Sequence, residues 1–108
     1  ENLELLYNLG FYYQQNSQPE LALEQYDKLL QVTDSMHYGA LYNAAYVNMV
    51  LLESYDDAVT LFTDAIAIDS TAHKAYYNRG YAYELLGQYE NAPNYPLAVQ
   101  GLNALDEK

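Results

Sequence analysis

The residues of this sequence that could do chemistry are two histidines and several neighbouring carboxylates. His37 and His73 lie 36 residues apart, whereas a helix that binds a metal ion presents two histidines at i and i+4. We therefore interpret both as turn residues at equivalent places in the chain. Asp56 and Asp57 suit the first turn of a helix, where carboxylates complement the helix dipole, better than a paired acid and base in a pocket.

Other catalytic signals are missing from the sequence. It contains no cysteine, which excludes disulfides, zinc–thiolate sites and thiol nucleophiles. It also lacks a nucleophile motif, a phosphate-binding loop and a calcium-binding loop. We therefore predict that the protein is not an enzyme, and we expect no catalytic residues, no metal site and no cofactor.

The charge of the chain narrows the class of partner. Fifteen Asp and Glu residues oppose four Lys and Arg residues, which gives a formal net charge of −11 that repels nucleic acid and anionic lipid. No apolar run approaches the roughly 18 residues of a membrane span. We expect neither a nucleic acid partner nor membrane insertion. The chain begins at Glu1, so we expect a mature product or a piece of a longer protein, and its location stays unknown.

A short pattern recurs along the chain every 35 residues, and an alanine follows each copy by 12 or 13 residues. The copies are Tyr7-Asn8-Leu9-Gly10, Tyr42-Asn43-Ala44-Ala45 and Tyr77-Asn78-Arg79-Gly80, and the alanines are Ala22, Ala58 and Ala92. Self-similarity at a period near 34 residues predicts a repeat architecture. Within each repeat the apolar residues recur at i, i+3, i+4 and i+7, which predicts two amphipathic helices joined by short turns.

Individual residues indicate where these helices begin and how closely they pack. Pro19 is placed for the first turn of a helix, and Ser54 with Asp57 forms a capping-box-like start. The small residues Gly10, Ala45 and Gly80, opposite Ala22, Ala58 and Ala92, predict a close approach of the two helices of a repeat.

These residues resemble the tetratricopeptide repeat family, whose 34-residue pattern combines aromatic residues with Leu, Gly, Ala and Pro. The matching positions are Tyr77, Gly80, Tyr83, Gly87, Tyr89 and Ala92 in the third repeat and Tyr55, Ala58, Phe62 and Ala65 in the second. The resemblance implies an all-α superhelix, or solenoid, of three helix-turn-helix hairpins. We expect a single domain over residues 1–108, with repeats at approximately 3–36, 37–72 and 73–108.

The end of the third repeat departs from the pattern. Pro96 takes the place of Tyr26 and Phe62, and Pro93 would lie inside the last helix, where a proline costs about 3 kcal/mol or more. We expect this helix to be irregular. It begins late, near Pro96, which is the interpretation we favour, or it is kinked.

In the family, the first helices of successive repeats line a concave groove that takes an extended peptide or a partner helix. The resemblance places three i, i+4 pairs of aromatic residues in this groove: Tyr7 with Phe11, Tyr42 with Tyr46, and Tyr77 with Tyr81. We expect the same faces to be extended by one further turn, with Gln14, Gln15, Met49, Val50, Glu84 and Leu85. These residues would make a wide, amphipathic groove that is nearly uncharged.

Some of these side chains have a second interpretation. Tyr7, Tyr42 and Tyr77 could instead pack between repeats. Packing is also the role that we expect for Tyr12, Tyr13, Tyr26, Tyr83 and Tyr89. The asparagines that follow the first three, at positions 8, 43 and 78, either meet the backbone of a partner or serve the fold. A requirement of the fold would also place an asparagine in every repeat.

Some members of the family bind the C-terminal carboxylate of chaperones through a clamp of Lys, Asn and Arg side chains. Asn43 and Lys74 match two members of that set, and we retain both as peptide-binding candidates. The remaining members are replaced, so we do not expect a complete clamp. Arg79 is expected to pair with a carboxylate such as Glu84 or Asp57.

The sequence therefore predicts a non-enzymatic scaffold that binds a protein or peptide segment in an aromatic concave groove. Its acidic surface favours neutral or basic partners. The alternative is a self-assembling module of a larger protein, which forms a homodimer end to end or by exchange of its last helix. This alternative stays open because the ends of a short solenoid are apolar faces.

Overall fold

The computed structural model describes residues 2–87 of the chain. Over this range the chain forms five α-helices and no strand: α1 (Leu3–Gln15), α2 (Pro19–Val32), α3 (Tyr38–Val50), α4 (Tyr55–Ile68) and α5 (His73–Leu86). The predicted all-α architecture, with two helices in each of the first two repeats, is confirmed. The interpretations of Tyr89, Ala92, Pro93 and Pro96 concern positions outside the described range.

The helices begin where a polar side chain or a proline favours the first turn. Asn2 Oδ1 accepts a hydrogen bond from the backbone N–H of Leu5 at 3.0 Å and so caps α1. Pro19 is the first residue of α2, as predicted, because its fixed φ suits that position. Ser54 precedes α4, but its hydroxyl donates to the carboxylate of Asp57 at 2.8 Å. It makes no capping bond to the backbone, so the expected capping box is not formed.

The helices pack as consecutive hairpins. α1 packs against α2 and α3 against α4, and the second helix of each hairpin also contacts the first helix of the next repeat. Buried apolar side chains form one cluster around Tyr26 and Leu29 and a second cluster around Phe62. None of the helices between residues 2 and 87 has the length and hydropathy that a membrane crossing requires.

The first hairpin closes tightly at Gly10. A Cβ atom at this position would lie 2.5 Å from Cε1 of Tyr26, so the two helices approach this closely only because Gly10 has no side chain. The hydroxyl of Tyr26 donates to Oε1 of Gln14 at 2.7 Å in the interior. Burial raises the pKa of Tyr26 well above its ordinary value, which disfavours ionisation of the phenol.

One residue with a positive φ angle follows the first helix of each repeat. Ser17, Glu53 and Gly87 follow the first helices of the three repeats, and their φ angles are 56°, 55° and 69°. These values lie in the left-handed region, where a Cβ atom is sterically unfavourable. Only the third repeat has glycine at this position.

We expect Glu53→Gly to stabilise the protein, because glycine adopts a positive φ without the steric penalty of a Cβ atom. The free energy of unfolding should rise by about 1 kcal/mol. Urea denaturation followed by circular dichroism measures the change. Glu53→Ala is the matched control, since it removes the carboxylate but keeps the Cβ atom. Equal effects of the two substitutions would contradict the argument from backbone strain.

Candidate interaction surface

The first helices of consecutive repeats are joined by the same hydrogen bond. The side-chain amide of Asn43 in α3 donates to the hydroxyl of Tyr7 in α1 at 3.0 Å. The amide of Asn78 in α5 donates to the hydroxyl of Tyr42 in α3 at 2.7 Å. These two bonds, which we call the Asn–Tyr ladder, place α1, α3 and α5 side by side.

The ladder tyrosines are half-buried and pack against other rings. The ring centroid of Tyr7 lies 6.2 Å from that of Tyr26 and 5.5 Å from that of His37. Tyr42 meets Phe62 edge to face, with 5.5 Å between centroids. Burial raises the pKa of Tyr42, and the hydrogen bond that its hydroxyl accepts partly opposes this effect. Tyr7 and Tyr42 therefore make contacts between consecutive repeats.

One helical turn beyond the ladder, each of the three helices presents an exposed aromatic side chain. Phe11 of α1 is 45% exposed, Tyr46 of α3 is 37% exposed and Tyr81 of α5 is 44% exposed. We call these three residues the aromatic row. Val50 and Leu85 are also exposed one turn further along α3 and α5. The ladder therefore aligns apolar surface from three helices on one face.

Three other side chains differ from expectation. Gln14 is buried, and its amide oxygen accepts a hydrogen bond from the hydroxyl of Tyr26. Met49 is buried in the second core cluster. Both therefore belong to the interior and not to the exposed face. Tyr12, expected to pack, is 59% exposed, although its ring lies edge-on to Tyr13 with 5.6 Å between centroids.

The two residues that match the carboxylate clamp lie in different environments. Asn43 is buried and its amide is engaged in the ladder, whereas Lys74 is exposed in the first turn of α5. At the two ends of the ladder, Asn8 and Tyr77 are exposed. Neither side chain has a hydrogen-bond partner among the residues from 2 to 87. The ladder is thus open at both ends of this stretch.

Arg79 is the buried charge that sequence reasoning missed. It is 1% exposed, its Nη1 donates to the hydroxyl of Thr63 at 3.1 Å, and its guanidinium lies 5.5 Å from the ring centroid of Tyr76. It pairs with neither of the expected carboxylates in the described part of the chain. Burial lowers the pKa of its guanidinium. The helical register indicates that Arg79 is buried, because it lies on the same face of α5 as Ala75 and Ala82, which are both fully buried.

Both histidines lie at the N-terminus of a helix. Nδ1 of His37 accepts a hydrogen bond from the backbone N–H of Ala40 at 3.0 Å and so caps α3. His73 is the first residue of α5, and its buried Nδ1 finds no partner within the described stretch. Among residues 2–87 no three His, Cys, Asp or Glu side chains come together as metal ligands would.

Comparisons with known families identify the repeats. Sequence models of the tetratricopeptide repeat match residues 7–73 and residues 61–92. The first match alone spans more than half of the chain.

Solved structures show the same helical solenoid. A crystal structure of MamA is 25% identical in sequence, with a TM-score of 0.79 over 95% of this chain and 56% of the MamA chain. A structure of the second TPR of Spaghetti (RPAP3) bound to an HSP90 peptide is 22% identical in sequence. Its TM-score is 0.80, over 96% of this chain and 89% of that one. The chain thus spans little more than half of the length of MamA.

We expect Tyr42→Phe to lower the free energy of unfolding by about 1 to 2 kcal/mol, because the amide of Asn78 loses its acceptor in a half-buried place. Urea denaturation measures the loss. Tyr77→Phe is the matched control, since it removes the same atom from a hydroxyl that no described residue bonds, and it should change stability by less than about 0.5 kcal/mol. A loss as large in the control would show that the ladder bond is not the cause.

Proposed function

The chain belongs to the tetratricopeptide repeat family, and from that premise we propose that it is a non-enzymatic scaffold that binds a protein or peptide segment on the face shared by α1, α3 and α5. The observation that carries the proposal is the aromatic row of Phe11, Tyr46 and Tyr81. Large aromatic side chains that stay exposed at equivalent positions of three repeats are available to a partner.

We further propose that residues 1–108 form one domain of three repeats. The helices α1 to α5 lie within these bounds.

Binding at this face proceeds by burial of apolar surface. Aromatic anchors contribute most where a partner excludes water from them. Tyr46 and Tyr81 also have hydroxyl groups that can hydrogen-bond the backbone of the partner. The net charge of −11 disfavours acidic segments and leaves neutral or basic ones.

We do not propose a carboxylate clamp for this face. A structural neighbour was solved with an HSP90 peptide, but Asn43, one of the two matching residues here, is committed to Tyr7. An exposed Lys74 alone offers one positive charge. Tyr7, Tyr42 and Tyr77 then contribute to the floor of the surface, with the aromatic row as its anchors.

We expect the double variant Phe11→Ala with Tyr46→Ala to weaken peptide binding at least about tenfold, because it removes two aromatic anchors. Peptides selected from a random displayed library on the wild-type chain serve as probes, and isothermal titration calorimetry measures their affinity. Tyr12→Ala is the matched control, since Tyr12 is an exposed aromatic residue next to Phe11 but on another side of α1. Unchanged affinity in the double variant, or an equal loss in the control, would contradict the proposal. Circular dichroism checks that helicity is kept.

A second candidate function, self-assembly, is favoured by the open ends of the ladder. Each ladder bond joins a tyrosine to the asparagine of the next repeat. Tyr77 would therefore accept a hydrogen bond from Asn8 of a second copy that continues the solenoid head to tail. The repeats of such an assembly would meet as neighbouring repeats do within the chain.

We expect light scattering over a concentration series to show dimers or longer assemblies if the ends pair in this way. Asn8→Ala should then raise the dissociation constant about fivefold, because one hydrogen bond of about 1 kcal/mol is lost at the junction. Asn16→Ala, at another exposed asparagine, is the control. A mass of 12.3 kDa at every concentration would exclude head-to-tail pairing and leave the peptide-binding proposal intact.

A further inference from the structure

A cleft of about 320 Å³ lies between α2 and α4. Its walls include Leu23 of α2 and Leu61 of α4, and α3 contributes Ala44 and Asn48. Ala44 and Asn48 each follow a residue of the opposite face, Tyr42 and Tyr46, by two positions, which corresponds to about 200° around a helix. The cleft therefore opens on the side of α3 that faces away from the aromatic row.

Two carboxylates flank this apolar cleft. Asp27 of α2 and Asp57 of α4 both line it and are both exposed to solvent. Asp57 accepts a hydrogen bond from Ser54, but Asp27 has no hydrogen-bond or ion-pair partner among residues 2–87. The neighbouring side chains desolvate Asp27 enough to raise the pKa of its carboxyl group. A carboxylate in this position lacks a counterion that a ligand can provide.

The acidic surface continues along α2. A shallow depression beside the cleft shares Leu23 and Asp27 with it and adds Glu20, Glu24 and Lys28. The carboxylates of Glu20, Glu24 and Asp27 outnumber the ammonium group of Lys28. This stretch is therefore negatively charged, like the chain as a whole. An anionic ligand would be repelled, and a purely apolar one would leave the carboxylates without compensation.

We propose that the cleft between α2 and α4 binds a lysine or arginine side chain of a partner protein. The aliphatic stem of such a side chain packs between Leu23 and Leu61, and its cationic end lies at the rim between Asp27 and Asp57. Long basic side chains combine an apolar stem and a charged end in this way. The Nδ2 of Asn48 donates to the carbonyl oxygen of Ala44 at 2.9 Å. Its Oδ1 accepts no hydrogen bond from residues 2–87 and can accept one from a ligand. The proposal adds a second interaction surface and does not depend on the aromatic row.

The test is an NMR titration of the isotope-labelled full chain with three blocked pentapeptides of the form Gly-Leu-Xaa-Leu-Gly, in which the central residue is Arg, Lys or Gln. We expect the Arg and Lys peptides to shift the side-chain amide signals of Asn48 and to bind at least about fivefold more tightly than the Gln peptide. Asp27→Asn should weaken their binding about threefold to fivefold, the range of a partly exposed ion pair.

Asp64→Asn is the matched control, because Asp64 is an exposed carboxylate of α4 that does not line the cleft. It removes the same charge and should change the affinity less than twofold. Equal losses of peptide affinity from Asp27→Asn and Asp64→Asn would show that only the net charge of the protein matters, and would overturn the proposal. So would equal binding of the Gln peptide, or shifts confined to Phe11, Tyr46 and Tyr81, which would place the peptides on the opposite face.

Discussion

The hydrogen bond from an asparagine of one repeat to a tyrosine of the repeat before it fixes the arrangement on which the rest of this surface depends. Asn43 and Asn78 make it at 3.0 Å and 2.7 Å. Packing alone lets two amphipathic helices slide, since apolar contact is not directional, whereas a half-buried amide left without its acceptor is costly. The ladder therefore sets the register of α1, α3 and α5. It also divides the aromatic residues between two roles, because the tyrosines that accept these bonds are held in the fold and those one turn further along stay exposed.

Much of this architecture could be predicted from local sequence. A period near 34 residues predicts repeats, apolar spacing predicts helices, and Pro19 marks a helix start, because each of these signals concerns residues that are close in the chain. Gly10 was predicted to allow a close approach of two helices, and its missing Cβ atom admits the ring of Tyr26 from α2. The positive φ angles of Ser17 and Glu53 have no such local signal, because a positive φ at a residue other than glycine reflects the packing of the two helices that it joins.

The candidate surface was less predictable, because its decisive contacts join residues a whole repeat apart. An asparagine at position 43 and at the equivalent positions 8 and 78 is compatible both with partner binding and with a role in the fold. The hydrogen bond from Asn43 to the hydroxyl of Tyr7 shows a role in the fold. Arg79 illustrates a different limit. A basic residue is usually exposed, so an ion pair with a carboxylate was the reasonable expectation, but the helical register places it with two buried alanines. Its guanidinium instead donates one hydrogen bond to the hydroxyl of Thr63 and lies near the ring of Tyr76, and its Nε and Nη2 have no hydrogen-bond partner among residues 2–87.

α3 takes part in both proposed surfaces, and this has consequences for how they act. Tyr46 belongs to the aromatic row and Asn48 lines the cleft between α2 and α4, on the opposite side of α3. The ladder hydrogen bonds join α3 to both α1 and α5. A helix held in this way is already ordered before any partner arrives. A partner then loses mainly its own conformational freedom on binding, which favours short or preordered segments over long disordered ones. Because α3 has little freedom to shift, occupation of one surface should leave the other nearly unchanged, so that two partners can be held at once without competing.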